Sequence, residues 1–299
     1  MSANNASLLD KLKSWPLLFL PHQLLSHLVR HATRWHSSYW KNPLIKQFIR
    51  YFDVDMSEAA AANAGDYADF NSFFTRALKP GARSFPQDAH AIASPVDGRV
   101  SQIGDITAGQ LVQAKGHSYS VNSLLGGDSE QAASFDNGNF ATLYLSPRDY
   151  HRIHMPCQGK LLETTYVPGR LFSVAPHTTR VIPNLFARNE RLVSLFETPA
   201  GPMALIMVGA IFVSCMETVW GGQVNPSMGM HLKRNRHDLK DSPVIDLARG
   251  DEMGRFNMGS TVILLFGPNR ISWDKSLLAG TAVQLGQQLA QLSEHSTGR

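Results

Sequence analysis

From Ile92 onward the chain alternates short apolar runs with turn sequences, a pattern typical of β-strands joined by tight loops. The turns are marked by residue pairs that contain glycine, such as Asp97-Gly98, Gly126-Gly127 and Gly221-Gly222. The strands predicted between them are 98–103, 141–145, 161–167, 192–196, 203–213 and 261–266. The pattern therefore predicts that most of the chain folds as a β-rich domain.

Helical spacing of apolar residues occurs mainly outside these strands. Leu8, Leu9 and Leu12 share one helical face, and a second face follows Pro21. Further helices are predicted at 70–78, in a short segment capped by Ser57, and at 279–292 near the C-terminus. The predicted fold class is α+β, with N-terminal amphipathic helices in residues 1–50 and a single β-rich domain in residues 51–299.

The basic charge of the chain is confined to its first 50 residues. The whole chain carries +4, whereas residues 1–50 contain seven Lys/Arg and one Asp, a net of +6. A charge confined in this way favours a local anionic partner over a nucleic-acid surface spread across the fold. Apolar content of 43% with only 17% charged residues is typical of a globular protein and excludes a disordered chain.

The N-terminal segment has two interpretations. Its longest stretch without charged residues, 14–29, is short for a membrane span and contains two prolines. With Trp15, Trp35 and Trp40 nearby, the leucine faces suit helices that lie on an anionic membrane surface. Alternatively, the leucines pack on the protein's own core or on a second subunit. The two cysteines, Cys157 and Cys215, are predicted to be buried thiols, with a single disulfide left open.

Gly259-Ser260 lies between a glycine-rich loop and the apolar strand that starts at Thr261. A serine in this position can attack the preceding carbonyl, converting the amide to an ester and cleaving its own chain. Glycine tolerates the strained backbone geometry that such an attack requires. The tripeptide Gly-Ser-Thr is also common in ordinary turns, so this motif alone leaves a plain loop open.

Four segments together resemble the phosphatidylserine decarboxylase family. Residues 250–266 resemble its processing segment, with Met258 in place of the usual Leu. Residues 144–156 resemble its histidine segment, and residues 94–100 its aspartate segment. Phe73-Phe74-Thr75-Arg76 is similar to its Phe-Phe-x-Arg run. The resemblance covers the chain from about residue 40 to the end.

The resemblance implies a proenzyme that cleaves itself between Gly259 and Ser260 into chains 1–259 (beta) and 260–299 (alpha). Asp97, His154 and Ser260 would form the self-cleavage triad, and Ser260 would become a covalent pyruvoyl cofactor. This group would form a Schiff base with phosphatidylserine and release phosphatidylethanolamine, with His151 handling the proton. Without the resemblance, a structural role is the favoured interpretation of His154 and still more of Asp97, and His151 can be a structural partner of the Asp149/Arg148 turn.

The implied partners are phosphatidylserine, an anionic phospholipid membrane and the second chain of the cleaved heterodimer, with a higher oligomer left open. The implied location is the cytoplasmic side of the cell membrane, as a peripheral protein. No metal site is expected, although His151 and His154 have a spacing that metal ligands can use. Two rivals are a serine hydrolase that uses Ser260 without cleavage and a membrane-binding protein without activity.

Overall fold

The computed structural model describes residues 7–18, 21–114, 116–211, 215–224, 230–239, 243–257 and 260–293. Met258 and Gly259, the predicted cleavage position, therefore lie outside the described residues. The helices are α1 (Leu8–Leu18), α2 (His22–Thr33), α3 (Ser38–Phe52), α4 (Phe70–Phe74), α5 (Val121–Leu124), α6 (Ser129–Ala133), α7 (Pro176–Thr179) and α8 (Leu185–Arg188), with a 3₁₀ turn at Ala64–Asp66.

Strands are the main regular structure of the described chain after residue 90, which together with the N-terminal helices confirms the α+β class. They are β1 (Ala91–Ala93), β2 (Gly98–Asp105), β3 (Gln110–Ala114), β4 (His117–Ser120), β5 (Asn139–Leu145), β6 (Arg152–His154), β7 (Gly159–Val167), β8 (Arg191–Thr198), β9 (Gly201–Gly209), β10 (Met216–Thr218), β11 (Gly222–Gln223), β12 (Lys233–Arg236), β13 (Asp246–Leu247), β14 (Glu252–Phe256), β15 (Ser260–Phe266), β16 (Ile271–Trp273), β17 (Ala282–Val283) and β18 (Gln288–Leu292).

A nine-stranded antiparallel sheet forms the centre of the fold. Its order is β12-β7-β8-β9-β15-β5-β2-β17, with β13 also paired to β7. All seven residues of β15 are buried, because this strand lies between β9 and β5 with an apolar layer on each face. A smaller sheet of order β11-β10-β14-β6 and a three-stranded sheet of order β1-β18-β16 accompany it.

Two apolar clusters cover the two faces of the large sheet. The first joins the sheet to residues of β6, β14 and β18, including Ile153, Met253 and Leu289. The second joins the opposite face to the β3–β4 hairpin and the short helices α5 and α8. A third cluster joins α3 to α4 through Ile45 and Phe73. Cys157 and Cys215 are buried thiols that are not joined in a disulfide, as predicted.

The prediction of a C-terminal helix at 279–292 is wrong. The segment forms β17 and β18, which pair with β2 and with β1 and β16. Gly280 and Gly286 adopt positive φ angles of 93° and 85°, which a continuous helix does not allow. Leu289 and Ala290 are buried between sheet partners, so long-range pairing overrides the local helical spacing.

Other element boundaries also differ from the sequence prediction. No helix starts at Ser57, whose amide donates instead to the Asp55 carboxylate at 2.8 Å within a turn. The helix predicted at 70–78 ends at Phe74, and the strand predicted at 203–213 ends at Gly209. The structure contains α3, which the sequence analysis did not predict.

Candidate active site

The segments that carry the family resemblance meet at one end of the large sheet. β6, in the histidine segment, pairs with β14, which leads toward the predicted cleavage position, and His154 lies opposite Glu252. The His154 amide donates to the Pro95 carbonyl at 2.9 Å, joining the histidine segment to the aspartate segment. Residues far apart in the sequence are therefore held together by backbone hydrogen bonds, which fix their positions more firmly than loops alone would.

Ser260 is the first residue of β15, where it pairs with Leu145 on one side and Gly209 on the other. Alternation along the strand places its side chain on the same face as Val262, toward the apolar cluster that contains β6 and β14. Ser260 is fully buried, and its Oγ has no hydrogen-bond partner among the described residues. A buried hydroxyl without a partner lowers the stability of the fold by about 1–3 kcal/mol. The strand pairing and packing around Ser260 therefore have to offset this cost.

The Asp97 carboxylate is held by an arginine that the sequence analysis did not identify. Arg83 donates to both carboxylate oxygens, from Nε at 3.0 Å and from Nη2 at 2.6 Å. The Leu285 amide adds a third hydrogen bond at 2.7 Å. A Cβ at Gly98 would collide with the Tyr144 carbonyl, so the residue after Asp97 has to be glycine here. Asp97 is thus rigidly oriented by a bidentate pair, the strongest form of charged hydrogen bonding to a carboxylate.

His154 is held at both ring nitrogens. Its Nδ1 donates to the Gly250 carbonyl at 2.7 Å, because a carbonyl only accepts, and its Nε2 then accepts from the Tyr150 hydroxyl at 3.0 Å. Burial lowers the pKa of His154, while the hydrogen bond to Gly250 and the charges of Glu252 and Asp97 oppose that shift. The imidazole is therefore neutral at pH 7, the form that a general base requires.

Asp97 and His154 do not form a hydrogen bond with each other in the described chain. Each has its own partners, Arg83 and Leu285 for Asp97, and Gly250 and Tyr150 for His154. The two residues interact only through charge, since the Asp97 carboxylate acts to raise the pKa of His154. The structure brings the predicted residues into one region without linking them as a hydrogen-bonded triad.

His151 is fully buried beside the end of β14, which leads toward the predicted cleavage position. Its Nδ1 donates to the Asp149 carbonyl at 2.8 Å, which leaves the lone pair on Nε2, and Nε2 has no partner among the described residues. The Phe74 ring packs on the imidazole with centroids 4.1 Å apart. The His151 carbonyl accepts from the Phe256 amide. Burial lowers the pKa of His151 to about 3, so it too is neutral at pH 7.

Two arginines that the sequence analysis did not name as site residues, Arg76 and Arg83, support the site. Arg76, buried to 4% exposure, donates to the Arg148 carbonyl at 2.8 Å and so holds the loop before His151. Arg76, Arg83, Asp97 and Tyr150 all line one polar cavity of 340 Å³. The Phe-Phe-x-Arg run was the available signal for Arg76. Arg83 had none, since only the fold brings it to Asp97.

Comparison with protein families gives matches along almost the whole chain. A family model described as phosphatidylserine decarboxylase matches residues 70–291, and one described as PSD matches residues 12–53. The chain is 52% identical over 270 residues to a protein of Ectopseudomonas mendocina (strain ymp), covering 90% of this chain and 94% of that one. It is 51% identical over 288 residues to a protein of Nitrosococcus oceani, covering 94% and 93%.

A third relative, from Alkalilimnicola ehrlichii, is 54% identical over 257 residues, covering 86% of this chain and 88% of its own. All three relatives bear the name phosphatidylserine decarboxylase proenzyme. The fold is α+β, and the site contains a buried serine at the start of β15 and two neutral histidines in and just before β6. The chain belongs to the phosphatidylserine decarboxylase family and is an enzyme of the decarboxylase class.

Proposed function

We propose that this protein is a proenzyme that cleaves itself between Gly259 and Ser260 and then decarboxylates phosphatidylserine to phosphatidylethanolamine. One observation carries the self-cleavage: Ser260 is fully buried at the first residue of a central strand, with an unpartnered Oγ. A serine hydrolase needs its nucleophile open to an external substrate, so complete burial of Ser260 disfavours that rival. A nucleophile that attacks its own chain needs no such access.

Self-cleavage requires a base and then an elimination. The base takes the Ser260 hydroxyl proton, Oγ attacks the Gly259 carbonyl carbon, and the peptide C–N bond breaks as the nitrogen is protonated. Removal of the Ser260 α-proton then breaks the serine's original Cβ–Oγ bond, and Oγ leaves as part of the Gly259 carboxylate. The dehydrated residue tautomerises, water adds at its α-carbon, and ammonia leaves. The new N-terminus is a pyruvoyl group.

His154 is the proposed base for cleavage, and Asp97 supports the positive charge that develops on it. His154 Nε2 is occupied by the Tyr150 hydroxyl, which has to turn aside before this nitrogen can take a proton. The proposal draws on the neutral state of His154 and on the attraction from the Asp97 carboxylate. Arg83 holds Asp97 in place throughout.

The residues around position 260 fit a covalent pyruvoyl group, because Ser260 Oγ and His151 Nε2 are both buried and unpartnered in the described chain. When present, the pyruvoyl group supplies an electron-withdrawing ketone that makes loss of CO₂ from an amino acid feasible. His151 is the proposed residue for proton handling at the substrate. Its open Nε2 and the Phe74 ring that fixes the imidazole plane support this role.

The decisive test of this function is the intact mass of the purified protein under denaturing conditions. We expect two masses, one for residues 1–259 and one for residues 260–299 with Ser260 converted to pyruvoyl. The smaller chain should resist Edman degradation, because a pyruvoyl terminus has no amine. Active protein that shows a single full-length mass would disprove self-cleavage.

We further propose that the N-terminal helices hold the enzyme on the cytoplasmic face of the cell membrane. In α1 the polar residues Asp10 and Ser14 face the protein, while Leu9 and Leu12 are 59% and 60% exposed. Asp10 fixes this orientation through Arg180, with hydrogen bonds of 2.9 and 3.0 Å. Helix α2 has the same arrangement, since Ser26 and Thr33 are buried and Leu28 is exposed.

Because the polar side of α1 faces the protein and its leucines face outward, the exposed α1 leucines do not pack on the protein's own core. A face of exposed leucines beside Trp15, Lys11 and Lys13 matches the chemistry of an anionic lipid surface. No helix in the described part of the chain is long and apolar enough to span a membrane.

Replacing Leu9 and Leu12 together by serine should weaken binding to anionic vesicles by about tenfold or more, because each leucine loses most of its apolar transfer free energy. Point substitutions are cleaner than deletion of residues 1–35, since deletion also removes the Asp10–Arg180 and Arg30–Gln223 contacts. Vesicle co-sedimentation at two salt concentrations measures the effect, with weaker binding expected at high salt. The matched control replaces two other exposed leucines, Leu239 and Leu278. Equal loss in both variants would contradict the placement.

A further inference from the structure

Glu217 on β10 forms a polar cluster beside the strand that leads to the cleavage position. Its Oε2 accepts from Arg255 Nε at 3.0 Å, and its Oε1 accepts from Asn257 Nδ2 at 2.9 Å. Arg34, at the end of α2, lies 3.9 Å from the same carboxylate. Glu217 also lies opposite Arg255 in the backbone register of β10 and β14. The carboxylate is thus oriented by its own strand pairing as well as by its charged neighbours.

Asn257 is the last described residue before the predicted cleavage position, and it is fully buried. In addition to its bond to Glu217, its Oδ1 accepts from Asn71 Nδ2 of α4 at 2.9 Å. Its amide donates to the Cys215 carbonyl at 3.0 Å. One side chain therefore joins β10, α4 and the end of β14, and α4 also carries the Phe74 ring that packs on His151.

The chain is anchored on both sides of the scissile bond. Asn257 holds one end, and Ser260 is held at the other by its pairing with Leu145 and Gly209. Only residues 258 and 259 connect these two anchors. Attack of Oγ on the preceding carbonyl requires the reacting atoms to meet at a defined angle, and pre-orientation of this kind contributes strongly to intramolecular rates.

We propose that Glu217 is a positioning residue for self-cleavage, which acts through Asn257 to fix the backbone entering the scissile Gly259-Ser260 bond. This inference rests on the proposed self-cleavage. It assigns no chemical step to Glu217, because its carboxylate is occupied by Arg255 and Asn257. Glu217 would affect the formation of the active site rather than the stability of the fold. The cluster lies beside the segment that is cleaved, in the smaller four-stranded sheet and not in the large one.

The test is a pulse-chase of the full chain made by cell-free translation, with the uncleaved fraction followed on denaturing gels. Asn257→Ala and Glu217→Gln should each slow cleavage by about 10- to 100-fold, because a displacement of the reacting atoms by an ångström has effects of this size. The matched control is Glu163→Gln. Glu163 is likewise a glutamate paired with an arginine, Arg234, but it is buried and lies on β7 of the large sheet. It should cleave at the wild-type rate.

Asn257→Asp provides a readout that a structural role would not affect. The new carboxylate would face Glu217 and could not donate to it while ionised, although the attraction of Arg255 and Arg34 remains. Two carboxyl groups this close share a proton as the pH falls. The protonated group can donate to Glu217 again, so the ratio of the variant's cleavage rate to that of the wild type should rise by about threefold or more from pH 8 to pH 5.5.

The possible outcomes separate this inference from the function on which it rests. If the wild-type chain does not cleave, the proposed function fails. If it cleaves and both Asn257→Ala and Glu217→Gln match its rate, the positioning role of Glu217 is overturned. Equal slowing in Glu163→Gln, or a rate ratio for Asn257→Asp that does not change with pH, would also overturn it, because either result indicates a general loss of stability.

Discussion

Ser260→Ala is expected to remain a single 299-residue chain under conditions in which the wild-type protein has separated into its two chains. Alanine removes only the hydroxyl oxygen, from a site that is fully buried and where Oγ has no partner in the described chain. The substitution should therefore leave the fold intact or slightly stabilise it, since it removes an unsatisfied polar atom. Decarboxylase activity should fall to background, because the pyruvoyl group can arise only from Ser260.

Ser194→Ala is the matched control for this experiment. Ser194 is also a fully buried strand serine with an unpartnered Oγ in the described chain, but it lies within β8. It should cleave and decarboxylate like the wild type. Intact mass and a lipid product assay measure both variants. Fragments ending at Gly259 from the Ser260→Ala chain would show that another group performs the cleavage.

The two histidines are expected to separate the two stages of the chemistry. His154→Ala should cleave about 10²- to 10⁴-fold more slowly, the usual cost of losing a positioned base. His151→Ala should cleave substantially and yet decarboxylate poorly, since its imidazole is proposed to act on the substrate. A time course of cleavage, followed by a product assay on the fully cleaved fraction, measures the two stages independently.

His237→Ala is the control for loss of an imidazole. His237 Nε2 and Thr164 Oγ1 form a hydrogen bond of 3.1 Å next to the paired strands β12 and β7, at the edge of the large sheet. His237→Ala should behave as wild type in both assays. The assignment of roles is wrong if His151→Ala blocks cleavage as completely as His154→Ala. It is also wrong if His154→Ala matures at the wild-type rate. The first outcome is the more important one to test, because His151 Nε2 has no partner in the described chain and is open to take a proton.

Local sequence patterns predicted the central strands but not the structure of the C-terminal segment 279–292. The six apolar runs between turn pairs all became strands of the large sheet, because β-branched and apolar residues suit a surface that is buried on both faces. The segment 279–292 was predicted as a helix from its leucine and valine spacing. Its structure depends on strands β1, β2 and β16, which lie far away in the sequence, so no local pattern carries that information.

The motifs identified Ser260, His151, His154 and Asp97 as candidates, since cleavage and proton transfer need these residue types. The orientation of the N-terminal leucines could not be predicted in the same way. An amphipathic helix has one apolar face whether it packs on a core or on a lipid surface. The docking of Asp10 on Arg180 turns that face outward in this protein.

The sequence by itself determines which reactive groups the chain carries: a hydroxyl directly after a glycine, two imidazoles and a carboxylate. Which of these groups are held, and by what, depends on contacts between distant segments. Arg83 donates to Asp97, the Tyr150 hydroxyl donates to His154, and Glu217 accepts from Asn257. These side-chain hydrogen bonds exist only after the sheets have assembled. Hydrogen bonds of this kind require donor–acceptor distances of about 3 Å, and only the packed fold sets distances to that accuracy.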